Sequence, residues 1–281
     1  MSRTWLITGA SRGFGRSLAE AVLERGDRLV ATARRPEQLQ DLVARYGQQV
    51  RTVALDVTDA DAARAAVQAA VDAFGRLDVV VNNAGYANSS PIEETADQDF
   101  RDQFEANFFG VYNVTRAALP VLRRQRSGVF VQFSSIGGRV GGTPGLGAYQ
   151  SAKFAVEGFS EVLASEAAPF GVQVVIVEPG GFRTDWQGTS MQRHGVGPDY
   201  EETVGAMNRR RAETDGAQPG DPVRGARVII EAVTHPEPPR RLLLGAQAVA
   251  MALEAGEARA AETRKWADAS RAADFPSTTN E

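Results

Sequence analysis

The sequence predicts a doubly wound α/β fold, a largely parallel sheet of about seven strands with helices on both faces. Three observations carry that expectation. Short apolar runs rich in Val, Leu and Ile alternate along the chain with longer stretches of helical periodicity. A glycine-rich turn, Thr8-Gly9-Ala10-Ser11-Arg12-Gly13-Phe14-Gly15, joins the first apolar run to the first helical stretch. The residues suited to chemistry fall at the carboxyl ends of the predicted strands, the edge where open α/β sheets hold ligands.

The elements follow in order. Arg3 to Thr8 reads as a buried strand and Phe14 to Leu23 as a helix closed by Gly26, which makes the opening unit that of a Rossmann-type sheet. Arg28–Ala33 is a strand, Pro36–Tyr46 a helix with Pro in its first turn, and Val50–Leu55 a strand. Asp59 or Asp61 caps an Ala-rich helix ending near Gly75, and Asp78–Val81 is the next strand. Asp97–Arg123 holds one or two helices, Gly128–Phe133 a strand, Tyr149–Ala168 a helix and Val172–Val177 a strand. Asp221–Ala232 is a helix and Arg241–Leu244 a last short strand. The stretch 186–222 breaks the rhythm. Rich in Gly and polar residues, it reads as a long excursion of the kind that serves as a lid.

At 281 residues and 43% apolar content the chain can bury one full α/β core. Residues 1–268 are therefore read as one domain, and the polar residues 269–281 as a tail without fixed structure. A net charge of −4 argues against nucleic-acid and anionic-membrane partners. There is no Cys, and the two histidines, His194 and His235, lie in loop-like stretches, so no metal site is expected. No apolar segment is long enough to span a bilayer, and Trp5-Leu6-Ile7 is too short for a signal-peptide core. A reduced, cytoplasmic setting is the expectation.

Two groups of residues suggest chemistry. In the glycine turn, Gly9, Gly13 and Gly15 let backbone approach a pyrophosphate resting on the free N–H groups of the following helix. In Tyr149-Gln-Ser-Ala-Lys153 the two ends are four residues apart and share one helical face. A free phenol titrates at about pH 10, and a neighbouring ammonium is expected to draw it down toward the range useful for acid–base catalysis. Ser135 lies fourteen residues before Tyr149, and Asn82-Asn83-Ala84-Gly85 and Asn107 fall between the two motifs.

In this order the motifs resemble the short-chain dehydrogenase/reductase family, with its wide TGxxxGxG turn and YxxxK pair, over nearly the whole chain. The resemblance implies a nicotinamide-dependent oxidoreductase acting on a ketone or secondary alcohol. It makes Tyr149 the proton donor, Ser135 the hydrogen-bonding partner of the substrate oxygen, and Lys153 the group that lowers the phenol and binds the nicotinamide ribose. Asn107 would support a water relay to Lys153. Gly9, Ser11, Arg12, Gly13, Phe14 and Gly15 would form the phosphate loop. Asp56 and Val57 would lie at the adenine, and Asn83, Ala84 and Gly85 along the adenosine half. In Pro179-Gly180-Gly181-Phe182-Arg183-Thr184, Pro179, Gly180 and Phe182 would border the nicotinamide and Thr184 would meet its carboxamide.

The cofactor is expected to be NADP(H), with NAD(H) as the second option. An NAD site places an acidic residue at the end of the second strand, whereas this chain has Thr32-Ala33-Arg34-Arg35 there. Arg34, with Arg35 beside it and Arg12 opposite, offers a planar fork to a 2′-phosphate. Tyr86, Ile136, Phe182, Trp186 and Met191 adjoin the motifs and are expected to wall a pocket for a substrate with apolar flanks. The wording around Tyr149 is similar to the hydroxysteroid- and retinol-dehydrogenase-like branch, which does not license a steroid. The resemblance also implies a homodimer or homotetramer built on the helices around Asn107 and Tyr149, with Phe154, Phe159 and Val162 as apolar bulk.

Alternatives stay open at two positions. Ser135 and Tyr149 are one residue further apart than the family usually has them, with the surplus at Gly141-Gly142-Thr143, so Ser134 competes as the catalytic hydroxyl. Asn107 can equally serve local helix geometry. Two other functions compete with a reductase. Sugar-nucleotide epimerases and dehydratases share Tyr-x-x-x-Lys but favour TGxxGxxG and a larger C-terminal domain. A noncatalytic nucleotide-binding regulator is disfavoured by the intact Ser135, Tyr149 and Lys153.

Overall fold

The structure, a computed structural model, describes residues 2–275. Seven parallel strands form the main sheet in the order β3-β2-β1-β4-β6-β7-β9. They are β1 (Thr4–Ile7), β2 (Arg28–Ala33), β3 (Val50–Ala54), β4 (Val79–Asn82), β6 (Gly128–Phe133), β7 (Val172–Pro179) and β9 (Arg241–Leu244). The order runs outward in opposite directions from β1 and β4, so the crevice for a ligand opens between their carboxyl ends. This is the doubly wound Rossmann-type sheet that the alternation predicts.

Successive residues of a strand face opposite sides of a sheet, and β1 shows the consequence. Trp5 and Ile7 join Leu18, Val22 and Ile229 in the core on one face, while Leu6 joins Val80, Leu122 and Phe130 on the other. The helices α1 (Gly13–Glu24), α2 (Gln40–Tyr46) and α3 (Ala60–Phe74) connect the first four strands. Asp59 caps α3, its carboxylate accepting from the Asp61 and Ala62 N–H groups, which decides between Asp59 and Asp61. Gly75 closes α3 in the left-handed conformation, φ 75°, where glycine carries no Cβ penalty.

The helical stretch 97–123 resolves into α4 (Asp97–Phe104), one π-helical turn over Glu105–Phe109, and α5 (Gly110–Gln125). A short α6 (Ile136–Val140) leads through Gly141 and Gly142, at φ +72° and +77°, into α7 (Gly147–Ala167). Gln150 holds the loop by accepting from the Thr143 N–H at 3.1 Å and donating to its hydroxyl at 2.9 Å.

Three expectations need correction. The stretch 186–222 is not a plain loop. It carries β8 (Met191–Arg193), a π-helical turn and α8 (Ala206–Glu213), and β8 pairs in parallel with β5 (Ala87–Ser89) in a separate two-stranded sheet. After α9 (Pro222–Thr234) and β9, a long helix α10 (Ala246–Arg271) follows that the sequence reading did not anticipate. Its buried residues are Ala248 and Ala252, so it has too narrow an apolar stripe for periodicity to register. The tail expected from residue 269 therefore begins inside a helix, and 276–281 lie outside the described residues.

Candidate functional site

The expected site residues converge on one cleft of about 1650 Å³ along the carboxyl edge of the sheet. At one end lies the start of α1. Arg12 is its N-cap residue and makes no side-chain cap bond, unlike Asp59 on α3 and Asp221 on α9. The first-turn N–H groups of α1 thus have no side-chain acceptor, which suits a phosphate. Gly9 and Gly13 take positive φ, +65° and +56°, and line the cleft with Ser11, Arg12 and Phe14. Gly15 does not line it. A Cβ there would stand 2.3 Å from the Gly9 carbonyl oxygen, so Gly15 serves the packing of α1 on the loop.

Asn83 has a second task besides lining the cleft. Its amide donates to the Thr8 and Gly9 carbonyls at 2.9 and 3.2 Å, so the side chain braces the glycine turn while Asn83, Ala84 and Gly85 line the cleft. Asn82 is buried and donates to Thr115 and Gln132. Beyond β2, Arg34 and Arg35 are exposed on the cleft rim with no carboxylate partner among the described residues. Asp27 lies at the opposite end of that strand, accepting from the Arg3 N–H and the Trp5 indole. Asp56 and Val57 line the same region, and one Asp56 oxygen accepts from the Thr58 N–H and hydroxyl.

At the other end, Tyr149 and Lys153 project from α7, both buried. Ser135 is the N-cap of α6; its oxygen accepts from the Gly137 N–H at 3.1 Å, and it lines the same cleft as Tyr149. Ser134 points elsewhere and donates to Glu157 at 2.7 Å, so the competing hydroxyl is already engaged in a buried bond. Lys153 Nζ donates to the Phe133 carbonyl at 2.8 Å and lies 5.7 Å from the centre of the Tyr149 ring. Trp186 covers Tyr149, with ring centroids 5.2 Å apart.

The electrostatics reverse one expectation. The helical spacing suggests that Lys153 draws the Tyr149 phenol down, yet burial pushes the phenol up to about 12, outweighing the polar side chains of Ser135 and Trp186 beside it. Burial also holds the Lys153 ammonium down to about 8. Both groups are removed from water, and desolvation disfavours phenolate and ammonium alike.

Asn107 sits in the π-helical turn, fully buried. Its amide donates to the Tyr86 carbonyl at 2.9 Å and to the Gln103 carbonyl at 3.0 Å, while its own oxygen has no hydrogen-bond partner. The local-geometry role and a buried acceptor left without a partner among the described residues therefore coexist. A Cβ on Gly85 would lie 2.5 Å from that oxygen and 3.7 Å from Lys153 Nζ, so only glycine leaves this approach clear.

Among the remaining residues, Pro179, Gly180, Phe182 and Thr184 line the cleft, and Phe182 packs on Phe14 with centroids 4.7 Å apart. Tyr86, Ile136 and Trp186 are walls as expected. Met191 is not. It is buried beneath Tyr149 with Ala87 and Leu146, because its place in β8 turns it into the small core there. Sequence reading missed the cleft face of α8, including Met207 and Arg211, and the buried chain Ser134–Glu157–Arg241–Glu178 behind α7. Helical spacing within 206–213 held the signal for the first. The second joins residues too distant in sequence to be paired without coordinates.

A glycine-loop sheet edge facing a buried Tyr–Lys pair with a serine beside it defines a class, the dinucleotide-dependent oxidoreductases of Rossmann type, and the comparisons with known proteins make the family specific. Residues 3–194 match the family model described as short chain dehydrogenase, and the chain belongs to the short-chain dehydrogenase/reductase family. It is 49% identical to Oxidoreductase BOA17 of Botryotinia fuckeliana over 97% of this chain and 99% of that protein. A short-chain dehydrogenase from Streptomyces avermitilis superposes with a TM-score of 0.91 at 42% identity, covering 98% of this chain and 100% of that one. A short-chain dehydrogenase from Burkholderia cenocepacia, solved in complex with NADP, superposes with a TM-score of 0.73 at 26% identity over 94% and 97% of the two chains.

Proposed function

We propose that this protein is an NADP(H)-preferring ketoreductase and secondary-alcohol dehydrogenase in which Tyr149 is the general acid and base. The observation that carries the reading is Tyr149, buried beneath Trp186 with Lys153 beside its ring, in the same cleft as Ser135 and the uncapped start of α1. The cleft suits a nicotinamide dinucleotide on the structure's own terms. Its phosphate end presents unclaimed N–H groups, its 2′-phosphate end presents Arg34, Arg35 and Arg12, and Gly85 leaves the floor open beside Lys153. The NADP bound by the Burkholderia cenocepacia neighbour supports the choice.

The bound nicotinamide supplies or accepts the hydride at the carbonyl carbon. Ser135 donates a hydrogen bond to the substrate oxygen and fixes it beside the phenol. Tyr149, held protonated by burial, gives its proton to that oxygen as the carbinol forms, and takes it back in the oxidative direction. Lys153 anchors the ribose hydroxyls and restores the proton, and the open oxygen of Asn107 accepts from a water on that path. Trp186, with the segment 186–222, forms the lid that shields the reacting atoms from solvent. Exposed Phe109 in the π-helical turn and Phe154 and Val162 on α7 supply the surface for self-association.

The test is a panel of ketones and aldehydes, from small to bulky, followed by loss of NADPH absorbance. Turnover with NADPH exceeding that with NADH is expected. Tight dinucleotide binding without turnover of any carbonyl compound would support the regulator reading instead.

A further inference from the structure

The cleft contains a buried charge that dinucleotide binding and proton transfer leave unused. Arg211 projects from α8 with only 5% of its surface exposed, yet it lines the cleft. Each bond it makes is to a neutral oxygen. Nη1 donates to the Ser89 hydroxyl at 3.1 Å and to Asn208 Oδ1 at 3.2 Å, and Nη2 donates to the Pro144 carbonyl at 3.1 Å. No carboxylate forms an ion pair with Arg211 among the described residues, although Asp102, Glu105 and Asp185 line the same cleft. The neighbouring charge that bears on it, Arg193, is also positive, and with burial it holds the guanidinium down to about 10, still protonated at neutral pH.

A brace between α8, β5 and the Pro144 loop needs donors but no charge. Burying an uncompensated cation is costly, and natural sites compensate it with an anion. The three bonds use both hydrogens of Nη1 and one of Nη2, which leaves Nε–H and the second Nη2 hydrogen. Donors on two adjacent nitrogens match the two oxygens of a carboxylate. The rest of this face agrees. Met207, Arg210, Arg211 and Thr214 all line the cleft, spaced as one side of α8 and its end, with two cations and no acid among them.

The position fits a substrate that also reaches Tyr149. Ala87 packs with Tyr149 and Leu146, and Ser89, which accepts from Arg211, lies two residues further along β5 on the same face. That places the guanidinium's anchor roughly 7 Å along the strand from the phenol's surroundings. We propose that Arg211 is a substrate anchor and that the natural substrate is an oxo acid, or the matching hydroxy acid, whose carboxylate binds Arg211 while its carbonyl meets Ser135 and Tyr149. This rests on the reductase reading above and narrows its substrate class. Met207 and Trp186 would flank the spacer between the two groups.

The test compares levulinic acid and its longer straight-chain oxo-acid homologues with their methyl esters, in the parent protein and in Arg211→Gln and Arg211→Lys. A charge-assisted, two-point contact is expected to favour the acid by about tenfold to a hundredfold in kcat/KM at the best spacer length. Arg211→Gln should bring the ratio close to one, and Arg211→Lys should restore part of it. An acid-to-ester ratio near one in the parent overturns the proposal, as does a ratio that persists in folded Arg211→Gln. Should Arg211→Gln fail to fold, the parent's ratio and Arg211→Lys decide. Turnover of neutral ketones without preference for acids would sink the anchor alone and leave the reductase reading standing. If no carbonyl compound is reduced, the reductase reading fails, and calorimetric titration of the same acids into protein mixed with oxidised NADP decides the anchor. Binding that weakens about tenfold or more in Arg211→Gln supports it, and absence of binding in the parent overturns it.

Discussion

Replacing Lys153 by Met should make the folded protein more stable at neutral pH while impairing it as an enzyme. Lys153 is buried and its ammonium is held down from 10.5 to about 8 by desolvation. Between those two values the unfolded chain keeps a proton that the folded chain releases, so stability rises with pH across that window. Below pH 8 both states carry the charge, and the folded state bears the full desolvation cost. Each pH unit between the two values is worth about 1.4 kcal/mol, which sets that cost at roughly 3 kcal/mol. Met fills a similar volume without charge, but it leaves the Phe133 carbonyl without its donor, a loss of about 1–2 kcal/mol. The expected net gain is about 1–2 kcal/mol at pH 7, or a few degrees in melting temperature. Above about pH 10.5 the gain should vanish and turn into a small loss. Thermal or urea unfolding of parent and variant at several pH values between 6 and 11 measures it. A difference between the two proteins that stayed constant over this range would refute the reasoning, since only the titration of Lys153 gives it a slope.

Tyr149→Phe removes only a hydroxyl, and the ring keeps its contact with Trp186, so fold and dinucleotide binding should persist while turnover falls by roughly 10²–10⁴; single-turnover reduction at fixed NADPH measures it, and near-parental turnover would assign the proton elsewhere. Arg34→Asp should shrink or reverse a preference for NADPH of about tenfold to a few hundredfold, because one charge-assisted bond contributes about 1.5–3 kcal/mol; titration of both cofactors into parent and variant decides. Trp186→Ala removes the cover of Tyr149 and should raise KM for bulky ketones roughly tenfold with NADPH affinity nearly unchanged; an unchanged ranking of ketones by size would remove the lid. Phe154→Glu combined with Val162→Glu places charge on side chains that are 42% and 57% exposed on α7, and should lower the light-scattering mass from oligomer toward a single chain; a parent already of single-chain mass would be the contrary result.

The sequence by itself determined the sheet and marked the candidate reacting groups. The continuous burial of β1 and the caps at Asp59 and Gly75 are local properties, written in which residues are adjacent or a turn apart. The glycine turn and the Tyr149–Lys153 pair were legible for the same reason, since each lies within a single element or a single junction. Long α10 escaped because its Ala-rich surface buries almost nothing, and hydrophobic periodicity records only what burial demands. Residues 186–222 escaped because β8 has meaning only beside β5, a strand roughly a hundred positions away. Tertiary structure alone decided what each candidate side chain does. It turned Ser134 to Glu157, committed Asn83 to the glycine turn, sank Met191 beneath Tyr149 and brought Arg211 to the cleft. It also set the sign of the Tyr149 shift, because spacing fixes that a lysine is near but not how much water is left around either group. Burial depends on everything packed above and below, and no stretch of the sequence contains that information on its own.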